Sequence, residues 1–577
     1  MAKTDDKKDL QQLPSIAADY IKSIINRMKY RRRVRLDVQE ELASHFEDEI
    51  KDISDKKERD RRIEKLIEEF GDVKQLAILL RRAKKRCRPL WAKAIVRSLQ
   101  CVGLLLLMLV VYTFWFVSGE PHARVDYLVR INQMSRPEVL TQDNAWPHYE
   151  KAAQMLIEPS EQLQKSMREA RGNFRNLDVS EQYLVEKWIN ENTEAWREFV
   201  EGSSRQYCYR EYEFRPSHAP HDRFLMNVSI PHLSDIKTLG RLGIWRARRA
   251  MQEGKVEKAI EDCLAVARTA GHWQGHRWIV EQMVARAIES AAEWQITDFV
   301  ASGKMSSEQL NSLQQEVSKI HADGFPLMDM EFDRLLFLDV VQNVFTDSGP
   351  GGGHLVPGLW PGLTDAADYL VKPNIRNFVN YILDDEKPIM VPLYTAASIV
   401  HARRDDTVAR YNKIFEDAVR IMRMTPYSVH TQQLDIEQKL SKLPQYRYFL
   451  IHAMMPPTAR LGAISFRGKA TYEATQMILA LERCYLDKGD YPTSAEELIS
   501  DGYLCKLPLD PFSDKPLVYK KIEDGYTLYS VGPDFKDDGG KSSVDKNGQT
   551  HKWWGDGDTV FWPIDPPVIP KKISPTE

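Results

Sequence analysis

An unbroken apolar run extends from Cys101 to Val117 and contains neither a charged residue nor a proline. As a helix rising about 1.5 Å per residue, this run crosses most of a hydrocarbon core about 30 Å thick. A helix buried in a soluble protein would show a polar stripe, which is missing here. A cleaved signal peptide would begin near the N-terminus rather than about 100 residues into the chain. The pattern therefore predicts a transmembrane helix over residues 98–119.

Charge differs between the two sides of this run. The preceding segment carries basic residues and no acid among them, namely Arg81, Arg82, Lys84, Lys85, Arg86, Arg88, Lys93 and Arg97. The following segment is balanced, with Glu120, Arg124, Asp126 and Arg130. Because positive flanks stay in the cytoplasm, we expect a single-pass protein of the inner (cytoplasmic) membrane, with a cytoplasmic N-terminus and an exported remainder. The lipid bilayer is its first expected partner.

Helical periodicity dominates the N-terminal 93 residues. One segment places apolar residues on a single helix face, namely Val34, Val38, Leu42, Phe46 and Ile50. Gly71 is placed to end the next helix, and Asp72 to cap the one after it. Residues 1–93 are therefore predicted to form a small cytoplasmic helical domain.

Several residues of this domain resemble a known prefix domain. The pattern consists of Glu41 and His45 on one helix, followed by Phe70, Gly71, Asp72, Leu76 and Ala77 before the membrane span. It is similar to the HAAS, or permease-prefix, helical domain, and this resemblance implies an interaction or signalling module without catalysis. His45, flanked by Glu41 and Glu49 at helical spacing, could also be a metal site. A solvated or paired histidine is favoured, because no second histidine or cysteine accompanies it.

The exported segment 120–460 has an almost entirely helical pattern. Residues Gly240 to Ala270 resemble one tetratricopeptide-type hairpin that turns at Gly254, although no second copy occurs at a fixed period. A long helix is predicted from about Trp278 to Ser302, and Ser306 with Gln309 is predicted to cap the helix that follows.

Motifs for catalysis are missing from this segment. The histidine pairs His272/His276 and His218/His221 lack the glutamate of the His-Glu-x-x-His zinc motif. The Gly/Pro-rich stretch 346–363 lacks the Gly-Lys-Ser/Thr ending of a phosphate-binding loop, and we expect it to be a mobile surface loop. No Gly-x-Ser-x-Gly elbow occurs. We therefore expect no catalytic or cofactor-binding residues, and a protein that is not an enzyme.

Periodicity changes again near Ser465. A helix is predicted to end at Lys488–Asp490, followed by a short helix capped by Ser494 and Glu497. Residues 517–521 and 526–531 alternate like strands, and Asp524–Gly525 between them predicts a hairpin turn. Cys484 and Cys505 would close a loop of about 20 residues as a disulfide. Two unlinked thiols are the alternative.

The C-terminal motifs resemble those of a secretion protein. They are ALERCYLDKGDYPTSAEEL, LPLDPFSDKPLVYK and GYTLYSVGPDFKDDGG. In this order they are similar to the C-terminal domain of the type II secretion major pseudopilin, which implies an α+β module over residues 461–563. In pseudopilins the membrane helix is fused directly to this domain, whereas here it lies about 350 residues upstream. We therefore expect the module to be neither processed nor stacked into a pseudopilus.

The pseudopilin resemblance also implies a calcium site in the last loop. Val531 takes the place of the carbonyl donor and Asp534 that of a side-chain ligand, and the further candidates are Asp537, Asp538 and Asp545, with Asp556 and Asp558 in reserve. Hard oxygen donors on a flexible loop suit Ca²⁺. A solvated acidic turn is the alternative. The tail 564–577 is expected to be disordered.

Taken together, these patterns predict a mainly α, membrane-anchored protein with a small N-terminal helical domain and a large exported helical domain. The exported part would carry a pseudopilin-like α+β module. A net charge of -3 gives no support for nucleic-acid binding. The expected function is a non-enzymatic binding or scaffold role among envelope proteins, which the resemblance links to protein secretion. The alternatives are a transmembrane signalling protein and an envelope hydrolase.

Overall fold

The computed structural model describes residues 10, 13–86, 90–117, 119–138, 143–169, 177–215, 224–356, 398–523, 525–544, 550, 552–553 and 555–564. The chain divides into two compact units, Met1–Trp115 and Phe116–Glu577. The fold is mainly helical with small sheets, as predicted from the sequence.

The first unit is a set of helices around a small apolar core. The helices are α1 (Ser15–Arg27), α2 (Arg32–Ile50), α3 (Lys56–Phe70), α4 (Val73–Arg86) and the start of α5 (Leu90–Val117). On the predicted face of α2, Val38, Leu42, Phe46 and Ile50 are buried. Gly71 ends α3 with a positive φ of 77°, and Asp72 Oδ1 accepts the N–H groups of Lys74 and Gln75 at 2.8 and 2.9 Å. The predicted boundary between α3 and α4 is therefore confirmed.

Helix α5 contains the apolar run. Its segment Ala94–Tyr112 is long and apolar enough to cross a membrane, with a mean hydropathy of 2.3 and no residue of the window buried. Membrane insertion stays a prediction, which the exposed apolar side chains of this segment favour.

The second unit contains most of the helices. In chain order they are α6 (Tyr127–Ser135), α7 (Trp146–Met155), α8 (Glu161–Glu169), α9 (Val179–Glu191), α10 (Thr193–Ser203), α11 (Leu233–Gln252), α12 (Val256–Gly271), α13 (Ile279–Ala301), α14 (Ser307–Ile320), α15 (Glu331–Val344), α16 (Arg404–Met422), α17 (Pro426–Thr431), α18 (Ile436–Ser441), α19 (Phe449–Met454), α20 (Thr458–Lys488) and α21 (Glu497–Ser500). The predicted turn at Gly254 lies between α11 and α12, with a φ of 76°. Ser306 and Gln309 form the predicted capping box of α14.

Two small antiparallel sheets follow α21. Strands β1 (Leu509–Asp510) and β2 (Lys515–Pro516) form one sheet, and β3 (Val518–Ile522), β4 (Gly525–Ser530) and β5 (Thr559–Trp562) form the other in that order. The predicted hairpin is confirmed by the pairing of Ile522 with Gly525. Strand β5, which was not predicted, pairs with β4 and closes the loop between them.

The largest core joins the helical part to the C-terminal segment. Helix α20 contributes Ala470, Ala474, Met477, Ile478 and Leu481 to the same apolar cluster as α10 to α14, and strand residues such as Leu528 and Phe561 complete it. The domain boundary predicted at 460/461 falls inside α20, which runs unbroken through it. The segments before and after this boundary share one core. The boundary itself stays a prediction from the sequence.

Two local predictions in the C-terminal segment were wrong. Helix α21 has Glu496 at its N-cap position and no side-chain capping hydrogen bond, so the box predicted for Ser494 and Glu497 is not formed. Glu497 Oε1 instead accepts the N–H of Thr493 at 3.2 Å. Cys484 and Cys505 are free thiols, the first buried in the core and the second exposed. The predicted disulfide is therefore not formed, because one side chain faces the core and the other faces solvent.

Candidate functional site

The acidic loop, defined here as residues 531–558, leaves the end of β4 and returns to β5. Its first residue, Val531, is buried and donates its N–H to Asp510 Oδ2 at 3.0 Å. Asp510 has no exposed surface and accepts three further hydrogen bonds, from the N–H of Phe512 and the hydroxyls of Ser530 and Ser513. One buried carboxylate thus fixes the point where the loop begins.

Two other carboxylates organise the middle of the acidic loop. Asp558, 3% exposed, accepts the N–H of Asp538 at 3.3 Å and that of Gly540 at 2.6 Å. Asp537 Oδ1 accepts the Tyr529 hydroxyl at 2.8 Å and the N–H of Gly539 at 2.9 Å. The Tyr529 hydrogen bond lowers the pKa of Asp537, whereas burial raises the pKa of Asp558. Asp558, which the sequence analysis named as a reserve calcium ligand, already accepts hydrogen bonds from two backbone N–H groups of the loop.

The predicted calcium ligands are all near one another in sequence but differ in surroundings. Asp534 is half-buried and its Oδ1 accepts the N–H of Lys536 at 3.2 Å, while Asp537, Asp538 and Asp556 are exposed. Asp545 lies outside the described residues. Within the described ranges, no three histidine, cysteine or acidic side chains converge closely enough to hold a metal ion. The donors have the hard-oxygen chemistry of Ca²⁺, and they would have to move together to bind it.

The acidic loop is docked on the helical part of the same unit. Phe535, at a positive φ of 64°, stacks on His430 of α17 with ring centroids 4.2 Å apart. Beside it, Asp514 Oδ2 accepts the hydroxyls of Thr425 and Ser428, each at 3.0 Å. A residue holds a left-handed conformation only where its surroundings fix it. The stack on His430 therefore gives the loop a defined position.

A second group of polar residues, not predicted from the sequence, lies buried along α13. Its members are Glu281, Gln282, Arg286, Glu289 and Glu293, each at most 5% exposed. Glu281 accepts the Tyr212 hydroxyl at 2.7 Å, and Gln282 exchanges hydrogen bonds with the backbone of Asp329. The helix had been predicted, but its charged residues had not been assigned to a buried face. Their spacing along one side of α13 was the available signal.

The candidate histidines do not form metal sites in the described structure. His272 is buried between the Tyr149 hydroxyl and the Arg205 carbonyl, and its burial lowers its pKa to about 4. His276 instead lies 3.6 Å from Asp329. His45 packs edge-on against Phe70, as expected for a paired histidine. The pair His218/His221 lies outside the described residues.

In its described part, 346–356, the Gly/Pro-rich stretch is exposed at 348–351 and buried at Thr346 and at 353–356. The prediction of a surface loop therefore fits only the tip of this part, and residues 357–363 lie outside the described residues. Thr346 and His354 are each 5% exposed. The His354 ring stacks on Phe116 at 4.1 Å, and its Nε2 lies 2.9 Å from the Phe116 carbonyl oxygen. Gly353 makes this close packing possible, because a side chain there would overlap the Thr346 carbonyl. This part of the stretch packs against Phe116.

Comparison of the chain with protein-family models, curated proteins and solved structures finds no significant match.

Proposed function

We propose that this protein is a single-pass inner-membrane scaffold whose exported unit presents the acidic loop and its surroundings to other envelope proteins. The observation that carries the proposal is the continuity of α20 through the common core. A C-terminal segment that shares its core with α10 to α14 has a fixed place in the unit. Such a segment is suited to presenting a surface, and unsuited to release and stacking as a pilin subunit.

The expected partners are membrane lipid around α5 and proteins of the envelope, with a secretion assembly as the class that the pseudopilin resemblance implies. Calcium bound by the acidic loop belongs to this proposal as its expected cofactor. No catalytic step is part of the proposal.

Crosslinking with mass spectrometry on intact membranes tests the scaffold role. We expect crosslinks from surface lysines of the C-terminal segment, such as Lys515 and Lys536, to envelope proteins. Lys29, in the N-terminal unit, is the control lysine, and we expect it to form crosslinks to cytoplasmic proteins. Crosslinks to cytoplasmic proteins from the C-terminal lysines, or to no protein at all, would contradict the proposal.

A transmembrane signalling protein is the second candidate. The packing of Phe116 favours it, because residues 346–356 contact Phe116, which lies near the end of the apolar run itself. A pull-down with residues 1–93 as bait separates the two functions. A cytoplasmic regulator captured by this bait supports signalling, and the absence of any captured protein supports the scaffold.

A further inference from the structure

Two carboxyl groups lie one turn apart on the buried face of α13. Glu289 is 3% and Glu293 4% exposed. Glu289 forms an ion pair with Arg286, and His321 Nε2 lies 2.8 Å from Glu289 Oε1. Both oxygens of Glu293 are buried, and neither has a hydrogen-bond partner among the described residues. An unpaired carboxylate in this position is costly, so the geometry calls for a neutral group.

Other groups around the pair do not neutralise a second negative charge. Arg286 is already bound to Glu289, to the Gln274 side-chain oxygen and to the Pro326 carbonyl. His321, at the end of α14, faces Glu289, and Tyr472 of α20 packs edge-on against His321 at 4.7 Å. On the α11 side, Arg248 bonds Gln295.

Because two negative charges one helical turn apart in a low-dielectric site repel each other, we expect Glu289 and Glu293 to retain one proton between them. Burial, with the neighbouring charge of Glu289, raises the pKa of Glu293 well above its ordinary value. The phenol of Tyr472 has a pKa raised first by its own burial, and further by Glu473, Glu293 and Glu289. Helix α13 packs against α20, and both glutamates are near enough to Tyr472 of α20 to affect its pKa.

We propose that Glu289 and Glu293 form a proton-binding site that holds the seam between α13 and α20 closed while one proton is bound. Loss of this proton to solvent leaves two carboxylates beside one guanidinium. Water then has to enter the interface between the two helices to solvate Glu293, and its entry loosens the packing of α20 against α13. Because α20 leads into the β-sheets, the position of the acidic loop becomes dependent on pH.

The direction of this pH dependence follows from the linkage between proton binding and the packing of α13 against α20. An acid whose pKa is raised in the folded state stabilises the closed seam at low pH, and this contribution is lost as pH rises through the folded-state pKa. The α20 amides should therefore be less protected from hydrogen exchange as the pH rises. A carboxylate held by an ion pair would give the opposite pH dependence.

Amide hydrogen exchange of the full-length protein in detergent tests this. Peptides within 465–481 are followed between pH 5.5 and 9, with the rates corrected for intrinsic chemical exchange. In the wild type we expect their protection to fall at least about tenfold, equivalent to 1.4 kcal/mol, as the pH rises. Glu293→Gln, which is neutral at every pH, should keep protection constant. Asp298→Asn, which changes an exposed acid on α13, should retain the wild-type pH dependence.

Glu293→Met, apolar and of similar volume, provides a second neutral variant if the glutamine protein folds poorly. Wild-type protection that does not change with pH would overturn the proposal, as would pH dependence that persists in both neutral variants. The same series is run with EDTA. If chelation alone reproduces the loss of protection at low pH, the site holds a metal ion rather than a proton and the proposal is wrong.

Discussion

Asp333, near the start of α15, is a half-buried acid in a different place from the α13 group. Burial raises its pKa to about 7, although backbone N–H groups, that of Ile279 first, act in the opposite direction. One of its oxygens, Oδ2, has no hydrogen-bond partner in the described part of the chain. An unfolded aspartate has a pKa of about 3.9. The folded state therefore holds a proton on Asp333 that the unfolded state releases.

Asp333→Asn is predicted to change how stability depends on pH. Since the folded-state pKa is raised, the wild type should lose stability as pH rises from about 4 to about 7. The asparagine variant should lose less over this range and be the more stable protein at pH 8. Melting temperatures of the full-length protein in detergent between pH 4 and 8 provide the measurement. The exposed Asp323→Asn serves as control, and parallel curves for Asp333→Asn and wild type would show the prediction to be wrong.

Close packing between helices depends on small residues in α11. At Gly243 a β-carbon would overlap the Trp196 ring of α10 and Val266 of α12, whereas at Gly240 the nearest atom, of Ile288, is 3.2 Å away. These two glycines lie on the same helix and differ mainly in the space around them. They form a matched pair for testing the packing of α10 to α12.

Gly243→Ala is expected to lower the free energy of unfolding by about 1–3 kcal/mol, because the added methyl group displaces rigid neighbours. Gly240→Ala should have a smaller effect, because Ile288 has to move only slightly and the helix-propensity gain of about 1 kcal/mol offsets that cost. Thermal melting of both variants, with wild type alongside, provides the comparison. Equal melting temperatures for the two variants would contradict this account of the α11 packing.

The acidic loop gives a prediction about calcium. Binding would relieve repulsion among Asp534, Asp537, Asp538 and Asp545, and at calcium one hundred times its dissociation constant the gain is about 2.7 kcal/mol. Amide exchange of residues 531–544 should therefore be slower in millimolar Ca²⁺ than in EDTA. Asp534→Ala should abolish the difference, and Asp487→Ala, on α20, should not. Identical exchange with and without Ca²⁺ in the wild type would mean that the loop is ordered by Asp558 and Asp537 alone.

Sequence patterns predicted those elements whose signals are local. The cap at Asp72, the turn at Gly254 and the β3–β4 hairpin each depend on residues within a few positions of one another. Strand β5 was missed because its pairing with β4 spans the whole acidic loop. The polar face of α13 was missed because periodicity assigns charged residues to solvent, and the partners that make burial possible, such as Tyr212 and His321, are distant in sequence.

The predicted calcium ligands show the same limit of prediction from local sequence patterns. Val531 and Asp534 follow the end of β4, and their role as calcium ligands stays a prediction. The separate functions of Asp537 and Asp558 depend on hydrogen bonds to Tyr529 and to the loop backbone. Those bonds follow from the three-dimensional path of the loop, which spacing alone does not define.

At the scale of the whole molecule, topology is the central prediction. The charge difference across residues 101–117 predicts that alkaline phosphatase fused after Gly119 is active and that a fusion before Arg81 is inactive. Enzyme activity in cells, normalised to the amount of fusion protein, measures this. Activity of the earlier fusion together with inactivity of the later one would place residues 120–577 in the cytoplasm.

The common core of α10 to α14 and α20 has a consequence for the order of events during synthesis. Residues 193–320 emerge from the ribosome well before Ala470 and Leu481, which fill the remaining part of their core. His354 likewise appears long after Phe116, the residue on which it stacks. Until the last fifth of the chain has emerged, the apolar faces of the earlier helices have no native cover. The nascent protein therefore depends on a chaperone, or on fast completion of the chain, to avoid aggregation.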